Sequence, residues 1–276
     1  MFLEELKLTL GFSILTKALL YLWRGSGMRS EIAKHLDHDP HFEWRGQSVS
    51  RLENLSDIVF ALALGMMLFG GPPPQTFSEL VRFLSSIVPV TASFAILFVI
   101  WNAHFVFFRR YALADNTIVL LNSVLLLMVL FTAYPLKFIF ESFFWYIAAS
   151  ISGDFSQLIE TEMTFVNSGR SMGFFGTGIA VIYTLLSFMY AHAVRKADQI
   201  GLSEKELLLT RQTVWVYRGE VVVAIMLVIA AVFTPLGPFA GALMLLNWPN
   251  AYLISHLVEK TSRKPPASIL SAGPDA

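Results

Sequence analysis

Apolar residues run for lipid-crossing lengths along most of this chain, broken by short polar segments. A helix needs about 20 apolar residues to span a bilayer. Six stretches reach that length: 53–71, 83–108, 116–140, 173–194, 214–234 and 237–257. The second holds Pro89, which predicts a tilt or kink. Tyr134-Pro135 predicts a bend in the third, and Pro235-Leu-Gly-Pro238 a tight turn between the last two. Residues 1–24 are apolar but carry Lys7 and Lys17, which suits an interfacial amphipathic helix better than a span. Their acidic start does not read as a secretory signal. Residues 141–172, with Asp154, Glu160 and Glu162, predict a folded outer connector. Ser203-Glu-Lys-Glu206 reads as a capping box opening a short cytoplasmic helix. The chain thus divides into an amphipathic, cytoplasmic segment over 1–47, a six-helix membrane domain over 48–257 and a disordered tail over 258–276.

Basic residues set the direction. Arg45, Arg51, Arg109, Arg110, Arg195, Lys196, Lys205, Arg211, Lys260, Arg263 and Lys264 fall on one side of six spans. Only Arg82, Lys137 and Arg170 fall on the other, so the positive-inside rule places both termini in the cytoplasm. Composition agrees with an all-α membrane protein: 55% of the 276 residues are hydrophobic and 14% charged, where a soluble domain carries about 25% charge. A net charge of zero gives no support for nucleic-acid binding. The absence of cysteine excludes disulfides, thiolate metal sites and thiol catalysis.

The first span opens on charge. Arg51 precedes Leu55-Ser56-Asp57, and no further charge follows until Glu79. Charges entering lipid need buried partners or water. Six residues separate Arg51 and Asp57 by about 240° on a helix, so they cannot pair with each other and each needs a partner on another helix. Beyond them the apolar residues form two stripes. Asp57, Ala61, Leu64 and Leu68 are assigned to the interior of the subunit, while Ile58, Leu62, Met66 and Phe69 form a seam free to face something else.

Trp101 and His104 share a face near the end of the second span. That spacing fits an interfacial Trp/His belt, or an imidazole that donates to Asp57 or Ser56. Asn122, in the third span after an Asp115-Asn116 start that reads as an N-cap, has the chemistry of a helix–helix hydrogen bond. His35, His38 and His41, interleaved with Asp37 and Asp39, have metal-ligand spacing, but Pro40 breaks the helix that would align them, and solvated loop histidines are the simpler reading. Arg218, Glu220 and His256 read as membrane-boundary residues. No nucleophile–base pair, P-loop, HExxH or TVGYG filter occurs, so neither an enzyme nor a metal or cofactor is supported.

Arg51-x-x-x-Leu55-Ser56-Asp57 resembles the Arg-x-x-x-Phe-Ser-Asp motif of the endosomal/lysosomal potassium channels, the transmembrane protein 175 family. Trp101-x-x-His104 and the third span from Asn122 to Pro135 resemble that family's second and third helices. The resemblance covers roughly 48–257. Because the motif occurs once, it implies the prokaryotic, single-repeat branch: a homotetramer in the plasma membrane whose first helix lines a central pore. It also implies a constriction of bulky aliphatic side chains at Leu62, continued outward by Met66 and Phe69, with Ile58 and Gly65 alongside. Arg51, Ser56, Asp57, Trp101, His104 and Asn122 would form the inter-helix network supporting that helix. Asp57 lies about 140° from Leu62, which makes it support and not an ion ligand. Two positions depart from the pattern. Leu55 stands where the motif has Phe, and Gly65 where many relatives have a Thr.

The expectation is a channel for monovalent cations, with potassium preferred, gated by wetting of a hydrophobic ring. Its partners would be potassium and other monovalent cations, lipid and further copies of itself. Two alternatives remain at the level of sequence: a proton-coupled secondary transporter using His104 and Asp57, and a non-conducting scaffold whose polar network only holds helices together.

Overall fold

The computed structural model describes residues 42–46, 48–247, 249–250 and 253–254. The chain divides into two units, Met1–Arg45 and Gly46–Ala276, and the elements below all belong to the second. The amphipathic helix expected at 1–24, the histidines at 35, 38 and 41, His256 and the tail lie outside the described residues.

Among those residues the structure is helical, without strands. Helix α1 is Arg51–Phe69, α2 Phe77–Ser85, α3 Ile87–Tyr111 and α4 Asn116–Ser152. Helix α5 is Ser156–Glu160, α6 Phe165–Arg195, α7 Ala197–Ile200 and α8 Glu204–Phe233, followed by a 3-10 helix over Gly237–Leu246. Among the described residues five apolar segments are long enough to cross a membrane: α1, α2 with α3 (Phe77–Tyr111), α4, α6 and α8. This makes the chain a multi-pass membrane protein. The sixth expected span, 237–257, instead begins as a ten-residue 3-10 helix. Gly237, at φ +50°, and Pro238 open it, and two poor helix formers at its start favour the tighter winding.

Polar side chains set the helix starts. Ser50 and Glu53, Thr76 and Glu79, and Ser203 and Glu206 each form a reciprocal capping box. The Ser203 box opens α8 itself and not a separate short helix. The apolar residues after it continue the periodicity, and Thr210 and Thr213 return their hydroxyls to the carbonyls of Glu206 and Leu209. The break near Pro89 falls at Ser86, leaving the proline in the first turn of α3, where no backbone N–H is needed. Pro135 lies inside α4 without ending it. In lipid, one lost ladder bond costs less than a whole set of freed helix ends.

Because α4 extends to Ser152, much of the outer connector is helix. Ala149, Leu158 and Met163 close its turn over Trp145 and Tyr146. Helices α6 and α8 form the most extensive pair in the bundle. Glycines allow their approach: a methyl group at Gly173 or Gly176 would meet Val232 or Leu227 at 2.6 Å. Helix α4 packs on α6, and α1 lies against α4 and α3.

Candidate functional site

The packed face of α1 is Glu53, Ser56, Phe60, Ala63 and Met67, a run of alternating three- and four-residue steps. This corrects the stripe read from the sequence by one position, about 100° of rotation. Asp57, Ala61 and Leu68 are exposed and Leu64 is half-buried. Asp57, Phe60, Ala61 and Leu64 instead line an open groove of about 260 Å³ against Phe94, Leu97, Phe98 and Trp101 of α3. The capping box and the salt bridge below fix Glu53, in the first turn, on the packed face.

Three polar connections hold that face. Ser56, Asn122 and His104, each at most 2% exposed, form a chain across α1, α4 and α3. Asn122 Nδ2 donates to Ser56 Oγ at 3.0 Å, and its Oδ1 lies 2.8 Å from His104 Nε2. The Ser56 hydroxyl donates to Leu52 O at 2.8 Å. With the amide spent this way, the imidazole carries its hydrogen on Nε2. Phe60 and Phe108 flank the ring at 5.7 and 4.8 Å between centroids. The imidazole thus reaches Ser56 through Asn122, where the sequence suggested direct contact with Ser56 or Asp57.

The second connection was missed from the sequence. Glu53 Oε2 lies 3.3 Å from Arg109 Nη2, with both side chains largely buried. Glu53 Oε1 accepts from Ser50 N at 2.9 Å, and Arg109 Nη1 donates to Gly46 O at 2.6 Å. The guanidinium also sits 5.2 Å over the Phe105 ring. One signal was legible: Ser50-x-x-Glu53 before an apolar run is a capping box. The partner was not, because Arg109 enters the sequence only as one of several basic residues at a span's end.

The third connection is peripheral. Trp101 Nε1 donates to Asp57 Oδ1 at 2.9 Å across the mouth of the groove. Trp101 continues a ladder of rings from Phe94 through Phe98 to Phe105. Arg51 does not join the expected network. It is the first residue of α1, exposed, and makes no hydrogen bond or ion pair among the described residues. Five of the six network residues are therefore held in two separate groups, and the sixth stands apart.

The seam on the other face of α1 is bare. Ile58, Leu62 and Phe69 are 65%, 54% and 75% exposed, and Met66 is half-buried. A Cβ at Gly65 would meet no atom within 4 Å.

Two further polar contacts lie away from α1. At the α4–α6 end, Asp115 Oδ1 caps Ile118 N at 3.0 Å, and Oδ2 lies 2.6 Å from His192 Nε2. Burial alone would raise the Asp115 carboxyl. The hydrogen bonds from His192 and Ile118 and the charges of His192 and Lys196 outweigh it, holding the group below the ordinary carboxylate value. Glu220, read from the sequence as a boundary residue, is buried in α8 and accepts from Asn250 Nδ2 at 3.2 Å.

Residues 51–133 match the family described as the endosomal/lysosomal potassium channel TMEM175. They contain α1, the α3 ladder and Asn122, which are the parts joined by the polar chain. That stretch of the chain is similar to the TMEM175 family. A protein of Marivirga tractuosa named "Potassium channel" is 29% identical over 237 residues, covering 82% of this chain and 94% of that one. The crystal structure of the potassium channel MtTMEM175, a threonine-to-alanine variant in complex with a nanobody fusion, matches with a TM-score of 0.71 and 28% identity. It covers 80% of this chain and 98% of that one. Both relatives are named as potassium channels.

Proposed function

We propose that this protein is a potassium-preferring channel for monovalent cations in the plasma membrane of a prokaryote, built as a homotetramer around four copies of α1. The carrying observation is the asymmetry of that helix. One face is pinned by the Ser56–Asn122–His104 chain and the Glu53–Arg109 salt bridge, while Ile58, Leu62 and Phe69 stand uncovered opposite. A polar anchor on one side of a helix and bare apolar side chains on the other suit a helix that faces further copies of itself.

Leu62 is the gate residue in this reading. It stands on the uncovered seam deeper in the span than Asp57, and four copies meet as a dry ring that excludes water when narrow and admits a partly hydrated ion when dilated. Met66 and Phe69 continue the apolar lining outward, Ile58 precedes it, and Gly65 leaves room for the helices to approach. Ser56, Asp57, Trp101, His104 and Asn122 support the helix without meeting the ion. Arg51 is free at the helix start to meet a neighbouring subunit or lipid headgroups.

The test is planar-bilayer recording on purified protein. Leu62→Ala widens the ring and Leu62→Asn hydrates it at similar volume. Both should raise basal current, and Leu62→Ala should also relax potassium-over-sodium preference under bi-ionic conditions. Unchanged current in both variants moves the gate to Met66 or Phe69. Electroneutral, pH-driven uptake without single-channel steps would mean a transporter, and silence a scaffold.

A further inference from the structure

Glu220 is placed where a carboxylate has no means of support. It lies in the middle of the 30-residue α8, ahead of the apolar run 221–233, and is 7% exposed. Its Oε1 accepts a single neutral hydrogen bond from Asn250. Asn250 has no more to give, because its two amide hydrogens are spent on Glu220 Oε1 and on Val216 O at 3.3 Å. Glu220 Oε2 is buried and without a partner among the described residues.

Among the described residues no cation answers it. The neighbours from α6 and α8 are Tyr183 and Tyr217, with rings 5.7 Å apart. Arg218, two positions earlier on α8, is exposed and turns its guanidinium over Trp215 at 4.9 Å. The segment packed across α8 presents Asn250 and, one turn away on the same face, Asn247, whose Oδ1 is also buried without a donor. The backbone is shaped for this contact. The Asn250 amide fills the space that a side chain at position 219 would occupy, so only glycine fits there.

We propose that Glu220 is a proton-binding site: with α8 and the Asn250 segment packed, it is held as the neutral carboxylic acid. A buried anion with one neutral hydrogen bond and no counter-charge is far more costly than a buried acid. The proton is drawn from water and leaves the Asn250 hydrogen bond on Oε1 intact. Loss of that proton charges the pair, draws water between the two elements and loosens the segment after α8. The site uses no residue of α1 and stands or falls independently of conduction.

The experiment is infrared spectroscopy of the full-length protein in lipid nanodiscs at neutral pH, paired with thermal unfolding across pH. Wild type should show a carboxylic-acid carbonyl band that Glu220→Gln lacks and that shifts when the glutamates are carbon-13 labelled. The unfolding midpoint of wild type should fall as pH rises through the loss of that band, because the folded state then carries a buried charge. Glu220→Gln should show no such fall. If that variant does not fold, the isotope shift in wild type and a displaced band in Glu220→Asp carry the assignment. Absence of any glutamate acid band at neutral pH overturns the proposal. So does an unfolding midpoint that follows the identity of the monovalent cation in place of pH, which would make the ligand a metal ion.

Discussion

Asn122 carries more of the site than any other single side chain. It satisfies a ring nitrogen on α3 and a hydroxyl on α1 at once, in a position without water. Asn122→Ala leaves the buried His104 nitrogen unpaired and removes the donor to Ser56, whose hydroxyl keeps its bond to Leu52 O, at a cost of about 1–3 kcal/mol. Thermal unfolding in detergent checks this. A cycle with His104→Phe should show that the double variant loses less than the sum of the two single ones, because the groups act as one unit. Asp57 behaves differently. Its partner is an indole N–H at an exposed edge, so the neutral isostere Asn keeps an acceptor for it. Gly65 is open space in the subunit, and Gly65→Thr should fold as well as wild type. If the missing hydroxyl limits ion discrimination, the bi-ionic reversal potential of Gly65→Thr shifts toward stronger potassium preference, and an unchanged value removes that role.

At the scale of elements, helices are joined in two ways, by polar contacts at their ends and by close packing over small residues. Asp115 starts α4 and binds His192 in the last turn of α6. Its carboxyl is held below the ordinary value, so the stabilisation is present above that ordinary value and is lost as pH falls through the lowered one. The unfolding midpoint of wild type should therefore decline on the acid side, and Asp115→Asn should flatten that decline while lowering the midpoint at neutral pH. Where the first third of α6 meets the last turns of α8, contact rests on the absence of side chains at Gly173 and Gly176. The contrast is physical: the Asp115–His192 contact responds to pH, whereas the valine and leucine methyl groups seated on the two glycines do not.

For the whole molecule, the proposed homotetramer is tested at α1, the helix placed around its axis. The native chain has no cysteine, so introduced pairs report without background. Cysteine at Phe69, 75% exposed, should crosslink neighbouring subunits if four copies of α1 surround an axis. Cysteine at Ala63, fully buried against the subunit's own helices, should not. Equal crosslinking at both removes α1 from the axis. Ala63 is the proper control because Leu64, on the stripe first assigned to the interior, is only half-buried beside the groove.

Hydropathy and helical period were enough to establish a membrane-embedded all-α chain, the places of its first five spans though not their ends, and the stripe on which Ile58, Leu62 and Phe69 stand exposed. Those properties are local: a lipid-length apolar run must be helix, since nothing else satisfies its backbone, and residues at steps of three and four share a face whatever lies opposite. Asn122 as a helix–helix contact and the Ser203 cap were legible for the same reason. The rotation of α1, the pairing of Glu53 with Arg109, the relay from His104 through Asn122 to Ser56, the isolation of Arg51 and the burial of Glu220 were decided only by tertiary structure. Each depends on which residue of a distant helix arrives opposite. Of the two acids on α1, Arg109 pairs with Glu53, while Asp57 accepts from Trp101. Glu220 became an interior acid because a poor helix former at Gly237 and Pro238 brought Asn250 back across α8, and a glycine at 219 let it in.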